Sequence, residues 1–217
     1  MQNKVDFINH IINTQYINGC TYLEIGVERP QLCFDKILAS VKTSVDPNKI
    51  TDDTVIDYLM ESDTFFEKLE NGETEFEPDH KWDIIFIDGL HLAGQVYRDI
   101  QNSLRHCKGF ILLHDCAPAN FWNAHSDYEY FKENCHEWNG STWKAFYKYR
   151  TETDKNTYTI AADYGVGVIE VNQAGAPIAF DNVWYEYGKF KQNMKTDLGL
   201  ISVDEFVKRM NYMRKFT

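Results

Sequence analysis

Two runs constrain this chain more than any others. Trp82-Asp83-Ile84-Ile85-Phe86-Ile87-Asp88 and Phe110-Ile111-Leu112-Leu113-His114-Asp115 are apolar almost throughout, and each ends in a carboxylate. Strands that read as continuous apolar runs are buried on both faces, as in parallel sheets covered by helices. Between the runs, Leu92, Val96, Ile100 and Leu104 recur every fourth residue and put an apolar stripe on a helix. Strand, helix and strand in this order predict an α/β fold.

The rest of the chain extends the pattern. TYLEIGV (21–27) and KTSVD (42–46) predict two earlier strands, and Ile56 to Met60 a third. Val5, Ile8, Ile12 and Tyr16 predict an amphipathic N-terminal helix ended by Asn18-Gly19. Residues 31–40 predict another helix, with Pro30 near its first turn, and 64–69 and 142–150 two more. TYTIAAD (157–163) and VGVIEV (166–171) predict a closing antiparallel pair around Tyr164-Gly165. Ser202-Val203-Asp204-Glu205 is a capping box before a last helix carrying Val203, Val207 and Met210. The expected architecture is a Rossmann-like doubly wound sheet, mainly parallel with a C-terminal antiparallel strand pair, and helices on both faces.

Composition narrows the functions. With 217 residues, 43% of them hydrophobic, the chain can build one sizeable core. A formal net charge of -11 excludes broad binding to nucleic acid or to an anionic membrane surface. No stretch approaches the roughly 18 apolar residues of a membrane span, and the N-terminus lacks the apolar core of a secretory signal. Five cysteines, Cys20, Cys33, Cys107, Cys116 and Cys135, include no CxxC pair. That argues against a disulfide framework or a structural zinc site and makes a reducing cytoplasm the simplest location.

In open α/β sheets ligands bind beyond the carboxyl ends of the strands. The first strand ends Glu24-Ile25-Gly26-Val27, the second at Asp46, the third near Ser62-Asp63, the fourth at Asp88-Gly89-Leu90-His91 and the fifth at His114-Asp115-Cys116. Any one of these acids can be a solvated strand end or a cap; together they make an acidic rim. Asp46 follows the glycine turn by about 20 residues, the place for a carboxylate that accepts ribose hydroxyls. The turn EIGVERPQ has one glycine and two acids instead of GxGxxG, so it suits a nucleoside cofactor with a cationic group better than a pyrophosphate.

The segments LEIGVERPQLCFDKI, SVDP, ESDTFF, FIDGLH, ILLHDC and WNGSTWKAF, in that order, resemble a family of class I S-adenosylmethionine-dependent methyltransferases. The resemblance covers roughly residues 20 to 175, although the turn GVERP has fewer glycines than the commoner pattern of that family. It implies that Glu24, Gly26 and Val27 form the first motif, with Glu24 and Gly26 near the methionine portion of the cofactor. It implies that Asp46 binds ribose, that Ser62 and Asp63 contact adenine, and that Asp88 lies beside the reacting methyl group. Asp88, His114 and Asp115 are the candidate ligands of a divalent cation, magnesium or manganese, with Cys116 where some relatives of catechol methyltransferases place Asn. Either His91 or His114 is the candidate general base, with Asp88 beside them.

The expected activity is transfer of a methyl group to oxygen of a small-molecule, sugar or glycan acceptor. A non-catalytic S-adenosylmethionine-binding protein is the alternative, and a nicotinamide-dependent oxidoreductase is disfavoured by the missing GxGxxG. The expected organisation is a single domain over 1–217: an N-terminal helix (1–19), a cofactor-binding core (20–116), a lid or acceptor loop (117–142), and closing strands with a C-terminal helix (143–217). Trp122, Trp138 and Trp143 are candidates for the acceptor pocket or for plain core. Cys116 is expected as a small buried residue. His10, His80, His106, His125 and His136 are expected at the surface, and Arg98 and Asp99 in solvent. The sequence leaves open whether the chain dimerises.

Overall fold

A computed structural model describes residues 1–51, 53–129 and 137–214. The chain runs α1 (Lys4–Gln15), β1 (Thr21–Ile25), β2 (Val41–Val45), α2 (Ser62–Glu70), β3 (Trp82–Ile87), α3 (Ala93–His106), β4 (Cys107–Leu113), α4 (Thr142–Glu152), β5 (Lys155–Ile160), β6 (Val166–Ala174), α5 (Tyr187–Asp197), β7 (Leu200–Ile201) and α6 (Val203–Met213). One seven-stranded sheet has the order β2-β1-β3-β4-β6-β5-β7. The neighbours β2, β1, β3 and β4 are parallel, and β6 is antiparallel to both β4 and β5. The chain starts in the middle of the sheet, builds outward to β2, then returns past β1 to β3. This is the doubly wound, Rossmann-like fold expected, with its direction reversing between β1 and β3.

Alternate residues of the strands feed two cores. Leu23, Ile25, Val45, Ile85, Ile87, Ile111 and Leu113 face α2, α3, α4 and α5, where Phe65, Val96, Ile100, Phe146 and Phe190 meet them. Tyr22, Ile84, Phe86, Phe110 and Leu112 face the other way, against Phe7, Ile8, Ile11 and Ile12 of α1 and Phe206 and Met210 of α6. Both faces of the central strands are therefore covered, which is why their sequences are apolar without alternation. α6 is fixed further by Arg209, which donates from Nε and Nη2 to the buried Glu170 of β6 at 2.6 and 2.5 Å. The capping box at Ser202 and Glu205 is formed.

Three expected elements differ. Residues 31–40 form successive turns with a single 3-10 turn at Phe34–Lys36. Asn9 of α1 takes the backbone groups that a helix would pair internally, donating to Lys36 O at 2.9 Å and accepting from Leu38 N at 2.9 Å. The third strand shrinks to one bridge between Val45 and Tyr58. There Asp57 Oδ2 accepts the Ser44 hydroxyl and also its N–H, the donor a longer ladder would use. The strand read from the run at 110–115 begins earlier, at Cys107, directly after α3 stops at His106.

Burial corrects two more expectations. His106 is buried, stacked on Phe66 at 5.5 Å. Asp99 is buried between α2 and α3, where Ser62 Oγ donates to it at 2.6 Å and Gln95 Nε2 at 3.0 Å. Arg98 is exposed, as expected. Cys116 is fully buried, and Cys20, Cys33, Cys107 and Cys116 are free thiols. Cys135 and His136 lie outside the described residues, as does part of the expected 117–142 loop. Among the described residues no helix is long and apolar enough to cross a membrane.

Trp143 belongs to the core: its ring stacks on Phe190 with centroids 4.0 Å apart, and its indole N–H is buried with no hydrogen-bond partner among the described residues. Trp143→Ala is expected to cost about 3–5 kcal/mol of stability. Trp143→Phe is expected to cost distinctly less, because the ring contact survives and the unsatisfied donor goes. Urea unfolding of the two variants against the parent chain checks the order.

Candidate functional site

The parallel ladder runs one residue past the ends of its strands. Gly26 N–H donates to Val45 O at 2.9 Å, Asp88 N–H to Ile25 O at 2.8 Å and His114 N–H to Ile87 O at 3.1 Å. Gly26, Asp88 and His114 are thereby brought into register on the carboxyl edge of the sheet. Gly26 has φ +85°, and a Cβ there would lie 2.4 Å from Asp88 O and from Gly89 Cα. Only glycine lets the two strand-end turns touch.

These ends open into a cavity of about 890 Å³ at the reversal point. Glu24, Gly26, Val27, Asp46, Ser62, Asp88, His91, His114 and Asp115, all singled out from the sequence, line it. Asp63 does not. Its carboxylate turns to the surface and pairs with Arg98 Nε at 2.8 Å, and the neighbouring wall is made by Gln95 and Asp99. Asp46 is buried, with Oδ2 accepting from Glu28 N at 2.9 Å and Oδ1 from Asn48 N at 2.8 Å. It holds the turns after β1 and β2 together at the cavity wall.

The densest chemistry surrounds Asp88. Its Oδ1 lies 3.2 Å from His114 Nδ1 and 3.3 Å from His91 Nε2, while Oδ2 is ion-paired with Lys4 Nζ. Asp115 Oδ2 lies 3.3 Å from the same His114 nitrogen and 3.4 Å from His91 Nε2. On its far side, His114 Nε2 is 3.3 Å from Asp163 Oδ2. Burial alone opposes the charge on Asp88, but His114, the hydrogen bonds from both histidines and Lys4 outweigh it and hold the carboxyl well below its usual range. Burial likewise opposes protonation of the imidazoles, yet the facing carboxylates raise His91 and push His114 far above its usual value.

Asp88, His114 and Asp115 each offer one ligand atom, all within 4.8 Å of one another. The two carboxylates suit magnesium or manganese, and a neutral imidazole as third ligand shifts the preference from magnesium to manganese.

The segment after the loop locks this centre. Asn139 is buried and donates from Nδ2 to Asp115 Oδ1 at 2.5 Å. His91 Nδ1–H donates to Trp138 O at 3.2 Å, and Ser141 N–H donates to His91 O at 2.7 Å. A Cβ on Gly140, at φ +59°, would sit 2.2 Å from His91 O. Asp115 itself adopts a left-handed conformation, φ +59°, at the turn after β4. Sequence reasoning missed Lys4, Gln95, Asn139 and Asp163. Asn139 and Gly140 stand in the quoted WNGS segment, so their signal was present without its meaning; Lys4 and Asp163 carried none. Trp138 lines the cavity with Tyr128 and Leu90, whereas Trp122 does not.

No family model matches the sequence, and no curated protein matches it. Among solved structures, an O-methyltransferase from Bacillus cereus in complex with SAH is similar with a TM-score of 0.47 at 12% identity, over 77% of this chain and 81% of that one. MycE methyltransferase from the mycinamycin biosynthetic pathway, solved with Mg and SAH, is similar with a TM-score of 0.47 at 15% identity, over 87% of this chain and 54% of that one. Cofactor-bound Rv0187 from MTB gives 0.46 at 13% identity, over 80% and 82%. These are likenesses of backbone and carry no activity across to this chain.

Glu24 gives the site a measurable signature. It is buried beside Tyr22, whose hydroxyl donates to Oε2 at 2.5 Å, and burial pushes its carboxyl up to about 7 against that hydrogen bond. An acid that ionises near 7 when folded and at 4.5 when unfolded favours the unfolded chain increasingly as pH rises through that window, by roughly 1.4 kcal/mol per unit. Glu24→Gln is expected to match the parent at about pH 5 and to exceed it by about 2–3 kcal/mol at about pH 8. Urea unfolding at the two pH values measures this.

Proposed function

We propose that this chain is an S-adenosylmethionine-dependent methyltransferase acting on a hydroxyl of a small-molecule or sugar acceptor. The observation that carries the proposal is the cavity at the sheet's reversal point, with a ribose-type carboxylate, Asp46, on one wall and the Asp88–His91–His114–Asp115 cluster on another. Bound there, the cofactor would supply an electrophilic methyl group on a sulfonium. Glu24, Gly26 and Val27 would take its methionine end and Asp46 its ribose. Ser62, Gln95 and Asp99 would take its base, the place assigned from the sequence to Ser62 and Asp63. Burial pushes the Asp99 carboxyl up to about 6, against the hydrogen bonds from Ser62 and Gln95, so this wall is suited to a neutral heterocycle.

At the other end, Leu90, Tyr128 and Trp138 offer apolar and aromatic surface on which a sugar or ring acceptor would lie. Alignment provides much of the rate of a displacement, and a turn held by Gly140, Ser141 and Trp138 is rigid enough to provide it. His91 is the proton acceptor: in its neutral form Nε2 takes the proton of the acceptor hydroxyl. His114 has carboxylates against both ring nitrogens and therefore orients Asp88, Asp115 and Asp163. Asp88 and Asp115 would hold a divalent cation, joined by His114 once its proton is lost, and the ion would supply Lewis acidity to the hydroxyl.

Calorimetric titration with S-adenosylhomocysteine tests the cofactor. Micromolar binding that Asp46→Ala weakens by roughly tenfold or more is expected; absence of binding to the folded chain removes the proposal. For the base, His91→Gln is expected to lower turnover on a responsive acceptor by about 10²–10⁴-fold, with cofactor affinity retained. Because the facing carboxylates raise His91, the neutral form is reached only at higher pH. Activity is therefore expected to rise with pH above the ordinary histidine value, and a pH–rate profile that is flat there removes His91 from the role.

A further inference from the structure

Lys4 opens α1, yet its side chain ends in the acidic centre. Its ammonium is ion-paired with Asp88 Oδ2 and lies 5.8 Å from the centroid of the Phe86 ring. Its backbone N–H donates to Asp163 Oδ2 at 2.7 Å, the same oxygen that approaches His114 Nε2. The helix behind it is fixed by the Asn3 cap, which accepts from Asp6 N at 3.1 Å, and by burial of Phe7, Ile8, Ile11 and Ile12. Asp163 and Tyr164 are both left-handed, φ +51° and +57°, and the turn they make holds the Asp163 carboxylate against α1. The ammonium is thus delivered by a packed helix and anchored at both its backbone and its side chain.

The position matters because Asp88 is shared. One of its oxygens faces the two histidines, and Lys4 takes the other. A divalent cation held by Asp88, His114 and Asp115 would need that carboxylate's charge, and would place a second positive charge beside the ammonium. Like charges in a poorly hydrated site repel strongly.

We propose that Lys4 is the resident cation of this centre and a specificity-determining residue for it. It provides on Asp88 part of the positive charge a divalent ion would bring, so such ions bind weakly while Lys4 is in place and enter by displacing it. The proposal concerns cation binding alone and stands whether or not the chain transfers methyl groups.

Titration of the whole chain with Mn²⁺, read by calorimetry, tests it. Lys4→Met is expected to bind Mn²⁺ at least roughly tenfold more tightly than the parent, and Lys4→Arg, which keeps the charge, about as weakly as the parent. A Lys4→Met affinity no higher than the parent's overturns the proposal. Should that variant fail to fold, reductive methylation of the parent, read by mass spectrometry, decides. Lys4 is expected to be protected without metal and to become reactive as Mn²⁺ is raised to saturation; protection that persists at saturation overturns displacement.

Discussion

The carboxylate of Asp88 is the point on which this structure turns. It ends the strand β3 on the cavity wall, half-buried, and a charge taken partly out of water costs free energy unless it is paired. Three cationic or protonable groups answer it, and they come from three places: His91 from the next turn, His114 from the end of β4 and Lys4 from α1. Those groups are in turn faced by Asp115 and Asp163. The N-terminal helix, the two central strand ends and the turn between β5 and β6 are therefore drawn to one spot by the need to balance charge.

Backbone geometry makes that balance possible. The ladder bonds from Gly26, Asp88 and His114 continue the parallel pairing one residue beyond the strands, so the side chains leave the sheet at matched heights. Gly26 allows the turns after β1 and β3 to touch, which a Cβ would prevent. Across the cavity, the 138–141 segment closes on the His91 turn through Ser141 and Trp138 and holds Asp115 through Asn139. The edge thus carries charges at fixed places beside a roomy cavity.

Much of this was legible in the chain. The doubly wound sheet followed from apolar runs without alternation, because strands covered on both faces have no polar side to show. The rim of acids at strand ends followed from where those runs stop. Local chemistry misled where a side chain competed for backbone hydrogen bonds. Asn9 unmade the helix expected at 31–40, and Asp57 reduced the third strand to a bridge at Tyr58. The sequence puts Asp63 at the cofactor and Asp99 in solvent, yet the packing of α2 on α3 buries Asp99 against Ser62 and leaves Asp63 pairing with Arg98 at the surface.

The sequence by itself determined the sheet, its central strands and the residues at their carboxyl ends, since burial of apolar surface and termination by a carboxylate are properties of contiguous residues. Only the tertiary structure decided how the charge at those ends is balanced. Lys4 meets Asp88 across 84 positions and Asp163 across 159, and Asn139 reaches Asp115 across 24. Pairing of buried charges acts through space over a few ångströms, and no spacing along a chain encodes which distant residues will stand there.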